Sequence, residues 1–109
     1  MYQYKFNEQI QNLSQTELDK HLYVFEKDYE PQPIHSIDFN GEDVLLQTSE
    51  SQKPITLEQL IDYINELETD IDGDSFDSIM IQNYEGTEHT ALQSIDFDIS
   101  DRIDFDINY

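Results

Sequence analysis

Residues 95–107 read Ile-Asp-Phe-Asp-Ile-Ser-Asp-Arg-Ile-Asp-Phe-Asp-Ile, and the stretch contains one alternating pattern twice, at 95–99 and at 103–107. In each copy apolar and acidic residues alternate, and the copy begins and ends with Ile. A period of two is typical of a strand with one buried face and one solvated face. The stretch therefore predicts two strands of one sheet, with Ile and Phe in the core and Asp exposed to solvent.

Turn signals and alternating segments predict the strands of that sheet along the whole chain. Asn40-Gly41 is the strongest turn signal in the chain, because both residue types tolerate the positive φ that a two-residue hairpin loop requires. Prolines at 31 and 33 favour extended backbone before this hairpin. Alternating or β-rich segments predict strands at Tyr2–Phe6, Ile34–Phe39, Val44–Gln47, Phe76–Tyr84, Thr90–Ile99 and Arg102–Ile107.

Two capping boxes mark helix starts, because in this motif two side chains each satisfy the other residue's backbone N–H. The box at 56–59 precedes one apolar stripe, formed by Leu57, Leu60, Ile61, Ile64 and Leu67. The box at 14–17 precedes apolar residues at helical spacing, Leu18, Leu22 and Phe25. The second pattern predicts a helix over residues 15–25. We therefore expect one domain, residues 1–109, of the α+β class, with an antiparallel sheet and two main helices.

Charge is the outlying property of the composition. Twenty-five acidic and five basic residues give a formal net charge of −20, beyond the magnitude of about 2–8 that serves solubility in a small domain. Residues 56–109 hold fifteen of the acids and a single base, Arg102. Such a field rejects nucleic acid and anionic membranes as direct partners and favours basic proteins or cations.

The spacing of the acids suggests a recognition surface. Alternate strand residues lie roughly 6.6 Å apart on one face, and acids four apart on a helix form a row. Such rows could imitate a phosphate track, although a solvated polar face is the ordinary alternative. The predicted partner-binding residues are Glu58, Asp62, Glu66, Asp70, Asp72, Asp74, Asp96, Asp98, Asp101, Asp104 and Asp106. Aromatic anchors could accompany them at Tyr63, Tyr84 and Tyr109.

Metal binding and catalysis have little support in the sequence. Residues 68–74 resemble the start of an EF-hand loop, but the first ligand is Glu68 and the twelfth position is Ile79, where a bidentate Glu is required. The histidines, His21, His35 and His89, are isolated, and there is no cysteine and no phosphate-binding glycine loop. We expect a non-enzymatic protein with no cofactor and no metal. No apolar run approaches the length of a membrane span, and no signal pattern is visible, so we expect a cytoplasmic protein.

In size, acidity, absence of cysteine and its Ile-Asp-Phe-Asp strands, the chain resembles the nucleic-acid mimics encoded by phages and mobile elements, among them anti-restriction proteins, anti-CRISPR proteins and uracil-DNA glycosylase inhibitors. The resemblance is compositional and transfers no residue roles. It implies an inhibitor that works in the cytoplasm of a bacterial host and blocks the nucleic-acid groove of a CRISPR effector or restriction nuclease. Alternatives are an immunity protein or antitoxin that neutralises a cognate toxin, and an acidic adaptor or chaperone for basic proteins.

Overall fold

The computed structural model describes residues 1–49, 51–69, 71, 73–82 and 88–107. Three short helices are α1 (Gln3–Gln9), α2 (Gln15–Leu18) and α3 (Leu57–Asn65). Seven strands are β1 (His21–Glu26), β2 (Gln32–Phe39), β3 (Val44–Thr48), β4 (Ile79–Gln82), β5 (His89–Ala91), β6 (Ser94–Asp96) and β7 (Arg102–Ile107). In the described part of the chain, no helix is long and apolar enough to cross a membrane.

The strands form one mixed sheet in the order β5-β4-β3-β2-β1-β7-β6, curled into a half-barrel. The expected antiparallel α+β sheet with two main helices is therefore wrong. Two of the pairings are parallel, β1 with β7 and β3 with β4. Parallel neighbours need a crossover, and α3 lies within the one between β3 and β4. The C-terminal strand reaches its parallel neighbour β1 across almost the whole sequence, which alternation patterns cannot reveal.

The directions of the strands are mirrored about β2. This strand is antiparallel to both neighbours, β1 and β3. The next strands outward, β7 and β4, run parallel to those neighbours, and the edge strands β6 and β5 are antiparallel again. A register shift between Ile34 and Ser36 interrupts the pairing of β2 with β3. Such irregularities bend a strand. Here the irregularity lies in β2, the central strand of the order, where a bend contributes to the curl of the sheet.

The two edge strands are consecutive in the chain, with only Leu92 and Gln93 between them. The Leu92 N–H donates to the carbonyl of Ile79 in β4 at 3.0 Å, whereas the Gln93 N–H donates to the carbonyl of Asp106 in β7 at 2.9 Å. The chain thus changes partners within two residues. The strand expected over Thr90–Ile99 is in fact these two three-residue strands, because its two halves pair with opposite ends of the sheet.

The core fills the inside of the curl and is closed by the helices. Side chains from alternate strand positions, such as Leu22, Ile81 and Phe105, are fully buried there with Phe6 of α1 and Leu60 of α3. The inward positions of β7 are the Ile and Phe residues of the alternating pattern, as predicted. The apolar stripe of α3 also packs inward, as its three- and four-residue spacing predicted.

The N-terminal segment is a helix where a strand at Tyr2–Phe6 was expected. Phe6 is fully buried, and Ile10, one helical turn later, packs against the core. Tyr2 and Tyr4 are exposed instead of sharing a buried face with Phe6. The alternation of aromatic residues was therefore misleading, and the spacing of four between Phe6 and Ile10 was the informative signal.

The helix predicted for residues 15–25 ends after one turn. Its N-cap is correct, because the Ser14 side chain accepts a hydrogen bond from the Glu17 N–H. Beyond Leu18, however, residues 21–26 form β1, in which Leu22 and Val24 are buried. Six pairings with β7 stabilise this strand, so tertiary contacts override the local helical spacing, and the β-branched and aromatic residues of the segment favour the strand.

The capping box at 56–59 is confirmed, and the hairpin at Asn40-Gly41 is present with a longer loop than the two residues expected. The Thr56 side chain accepts from the Gln59 N–H, and the Gln59 side chain accepts from the Thr56 N–H. The hairpin at Asn40-Gly41 has four loop residues, 40–43, instead of two. The Asn40 side chain accepts from the N–H groups of Glu42 and Asp43, and this arrangement, with Gly41 at φ +92°, closes the longer loop.

Candidate functional site

The clearest acidic feature is the solvent face of α3. Glu58, Asp62 and Glu66 are all exposed, and the opposite face of the helix buries Leu57, Leu60 and Ile64. Because a helix rises about 1.5 Å per residue, carboxylates four apart advance by about 6 Å along its axis. The side-chain amide of Gln15 in α2 donates to Glu58 at 3.3 Å. The sequence-predicted helical row is therefore present and exposed.

Further exposed acids lie beyond the end of α3. A depression of about 620 Å³ is lined by Glu68, Asp74 and Asp77, which are close in sequence, and by the distant Glu42. The Asp77 N–H donates to the carbonyl of Glu42 at 2.8 Å, so the hairpin loop and the segment before β4 are fixed against each other. The predicted contact surface included Asp74, and the contact between the hairpin loop and the segment before β4 is what brings Glu42 beside it.

The strand acids occupy the other side of the sheet. Asp96 on β6 and Asp104 on β7 are directly opposite each other, as the two alternating strands predicted if they paired. Asp104, however, is only 4% exposed, and Arg102 Nε lies 2.8 Å from its Oδ1. The expected exposed row of four strand carboxylates is therefore wrong for Asp104, whose charge is compensated within the protein. The hydrogen bond from the guanidinium to this carboxylate raises the pKa of Arg102.

Asp106 lies on the same side of β7 and is only partly exposed. Burial raises the pKa of its carboxyl group, and the neighbouring charges of Asp104 and Asp96 raise it further. The Ser94 hydroxyl donates a hydrogen bond to Asp106 at 3.1 Å, and this bond lowers the pKa of the carboxyl group. Asp106 is therefore less accessible to a partner than the exposed acids of α3.

The two remaining acids of this region are outside the strands. Asp98 and Asp101 are exposed in the loop between β6 and β7. The Asp98 N–H donates to the Asp96 side chain at 3.0 Å, which turns the chain away from β6. Lys20 donates to the carbonyl of Ile99 at 3.0 Å and holds this loop against the body of the protein. Asp70, Asp72, Tyr84 and Tyr109 lie outside the described residues, and Tyr63 is half-buried in α3.

The structure therefore divides the predicted site. Asp74 lines the depression beyond α3 together with Glu68, which follows the last acid of the helical row by two residues. Asp104 and Asp106 point away from the core on β7, whereas α3 packs on the core side of the sheet. Among the described residues, no group of three or more His, Asp or Glu side chains has a geometry that could hold a metal ion.

Two exposed aromatic residues adjoin the acidic depression and were not recognised from the sequence. Tyr2 and Tyr4 are 64% and 65% exposed, and their rings are stacked with centroids 6.2 Å apart. They line a second depression of about 490 Å³ together with Asp74 and Asp77. The same two aspartates also line the first depression. The side chain of Gln3 accepts hydrogen bonds from the N–H groups at 75 and 76, which fixes α1 at this position.

No protein-family model, curated protein or solved structure matches the chain.

Proposed function

We propose that this protein is a non-enzymatic inhibitor that occupies a basic, nucleic-acid-binding surface of another protein by presenting carboxylates in place of phosphates. A defence nuclease such as a CRISPR effector or a restriction enzyme is the target class that we favour. The observation that supports this proposal most strongly is the exposed acidic surface formed by the solvent face of α3 and the adjoining depression, with members Glu58, Asp62, Glu66, Glu68, Asp74, Asp77 and Glu42.

The distribution of basic residues strengthens this reading. Arg102 is the single base of residues 56–109, and its guanidinium is held by the buried Asp104. It is therefore not available to neutralise the acids of α3 or of the depression. Surfaces that serve only solubility mix both signs of charge, whereas this half of the chain concentrates one sign on its exposed positions.

The charge spacing is compatible with a phosphate-like row. Steps of about 6 Å along α3 compare with about 3.4 Å of helix axis per phosphate along one DNA strand. The helical row alone thus has roughly half the linear charge density of that strand, and the acids of the depression extend it. Long-range attraction would steer the surface into a basic groove and raise the association rate, while close contacts set the dissociation rate.

The first test is affinity capture followed by competition. Immobilised protein is incubated with a nuclease-treated bacterial lysate and washed with NaCl up to about 0.3 M, where screening is stronger than at physiological ionic strength. Retained proteins are identified by mass spectrometry, and the purified target is bound to labelled duplex DNA. We expect one basic nucleic-acid enzyme to be retained and the protein to displace its DNA.

Two matched variants separate the proposed surface from total charge. The first neutralises the helical row with Glu58→Gln, Asp62→Asn and Glu66→Gln. The second removes the same charge from exposed positions of the N-terminal half with Glu8→Gln, Asp28→Asn and Glu30→Gln. Displacement of DNA should weaken at least tenfold more in the first variant. Equal weakening in both, or capture of a diffuse set of basic proteins that elute together, would refute the proposal.

A further inference from the structure

We propose that the stacked Tyr2–Tyr4 pair is the anchor of the acidic surface and that it binds an arginine side chain of the partner protein. This inference rests on the proposed function and deepens it, since it names the partner chemistry and the contact that would hold it. Tyr2 and Tyr4 are each about two-thirds exposed and their rings are stacked. Exposed tyrosine rings combine an apolar face with a polar hydroxyl and are enriched at protein interfaces.

The surroundings of the rings define the charge of the occupant. On one side the tyrosines share their depression with Asp74 and Asp77, and none of the described residues that line it is basic. On the other side they line a depression of about 410 Å³ with Lys5 and the apolar Leu92. A cation is therefore favoured on the side of the two aspartates. The net charge of −20 opposes a phosphate, a nucleic acid or a second copy of the chain at this position.

Arginine matches this site better than lysine. A guanidinium stacks on the face of an aromatic ring and at the same time donates hydrogen bonds to a carboxylate. An ammonium group is a strongly hydrated point charge that lacks this planar fork. Rings beside carboxylates in a single depression offer both interactions to one planar cation. Tyrosine and arginine are also the residue types that dominate protein–protein hot spots.

The site is preorganised by backbone hydrogen bonds. The Gln3 N–H donates to the carbonyl of Asp77 at 3.2 Å, and the Ile79 N–H donates to the carbonyl of Met1 at 2.8 Å. Tyr2 forms an antiparallel bridge with Ser78. The tyrosines and the aspartates are thus held on adjacent backbone segments, so little conformational freedom remains to be lost when a partner binds.

The test uses two fluorescent peptides of equal charge, hexa-arginine and hexa-lysine, and measures binding to the full chain by anisotropy at low salt. We expect hexa-arginine to bind roughly two- to fivefold more tightly, the range expected for an exposed cation–π contact. Tyr2→Ala/Tyr4→Ala should abolish this preference, whereas Tyr2→Phe/Tyr4→Phe should retain it because the ring faces remain. Phe25→Ala, which removes a ring that is 40% exposed on β1, should leave the preference unchanged.

A second pair of variants tests the aspartates. Asp74→Asn/Asp77→Asn should reduce the affinity for hexa-arginine more than Asp62→Asn/Glu66→Gln, which removes the same charge from α3. Equal binding of both peptides by the wild-type protein, or a preference that survives in the double alanine variant, would overturn the arginine site. If the chain still displaces nucleic acid from its target in that case, the proposed function stands. A wild-type protein that displaces no nucleic acid refutes that function whatever the peptides do.

Discussion

Replacement of Arg102 by methionine should destabilise the protein far more than replacement of its partner Asp104 by asparagine. The asymmetry follows from exposure, because the side chain of Arg102 is 35% exposed and that of Asp104 is 6% exposed. Without Arg102, a nearly buried carboxylate remains without its counter-charge and directly opposite Asp96. Without the carboxylate of Asp104, the guanidinium can still be hydrated.

The expected cost of Arg102→Met at neutral pH is about 3 kcal/mol, at the low end of the range for breaking a buried ion pair, since this pair is partly open to water. For a domain of this size that cost corresponds to a melting temperature lower by roughly 12–15 °C. Asp104→Asn should cost about 1 kcal/mol or less, because it also removes a like-charge contact across the strands. The double variant should be more stable than Arg102→Met alone.

The free energy of unfolding of the wild type, both single variants and the double variant is measured by urea unfolding at about pH 7.

Lys53→Met is the matched control, because it removes one positive charge from an exposed position and reproduces the change in total charge. It should shift stability by a few tenths of a kcal/mol at most. A cost of Arg102→Met below about 1 kcal/mol at pH 7 would place the pair in the class of ordinary surface salt bridges. A double variant that is no more stable than Arg102→Met alone would also refute the reasoning.

Three further predictions address other features. Asp106→Asn should stabilise the protein at neutral pH, because the folded state raises the pKa of this carboxyl group and so disfavours its charge. The gain should be only a few tenths of a kcal/mol, since the side chain is partly solvated. In urea unfolding at several pH values, the gain should vanish as pH falls below the unfolded pKa of about 3.9. Thr56→Ala should lower the free energy of unfolding by about 1 kcal/mol through loss of the capping box, whereas Thr16→Ala, an exposed threonine of α2, should have little effect in the same assay. Added NaCl should raise the urea midpoint, because it screens the repulsion of a chain with net charge −20; an unchanged or lower midpoint would contradict strong self-repulsion.

Local signals in the sequence were sufficient where the structure is locally determined. The cap at Thr56 and the stripe of α3 satisfy their own hydrogen-bonding and burial requirements within a few residues, so their prediction was correct. The range of β7 was also correct, because its alternation reflects one buried and one outward face. In contrast, residues 21–26 have helical spacing but form a strand beside β7, a partner that lies 81 positions away.

The candidate site was only partly predictable for the same reason. Row spacing on α3 follows from helix geometry and could be derived from Glu58, Asp62 and Glu66 alone. The burial of Asp104 could not, because it depends on β7 being an interior strand with neighbours on both sides. The grouping of Glu42 with Asp77 requires the hairpin loop to meet the segment before β4, and no local pattern encodes that contact.

The parallel pairing of β1 with β7 also has a consequence for how the protein is made. Residues 21–26 pair with residues 102–107, and such distant contacts close large loops that slow the folding of β-rich domains. During synthesis from the N-terminus, β1 leaves the ribosome long before its permanent neighbour exists. One flank of β1 must therefore remain unpaired in the nascent chain until β7 has emerged, and the half-barrel is completed only after that.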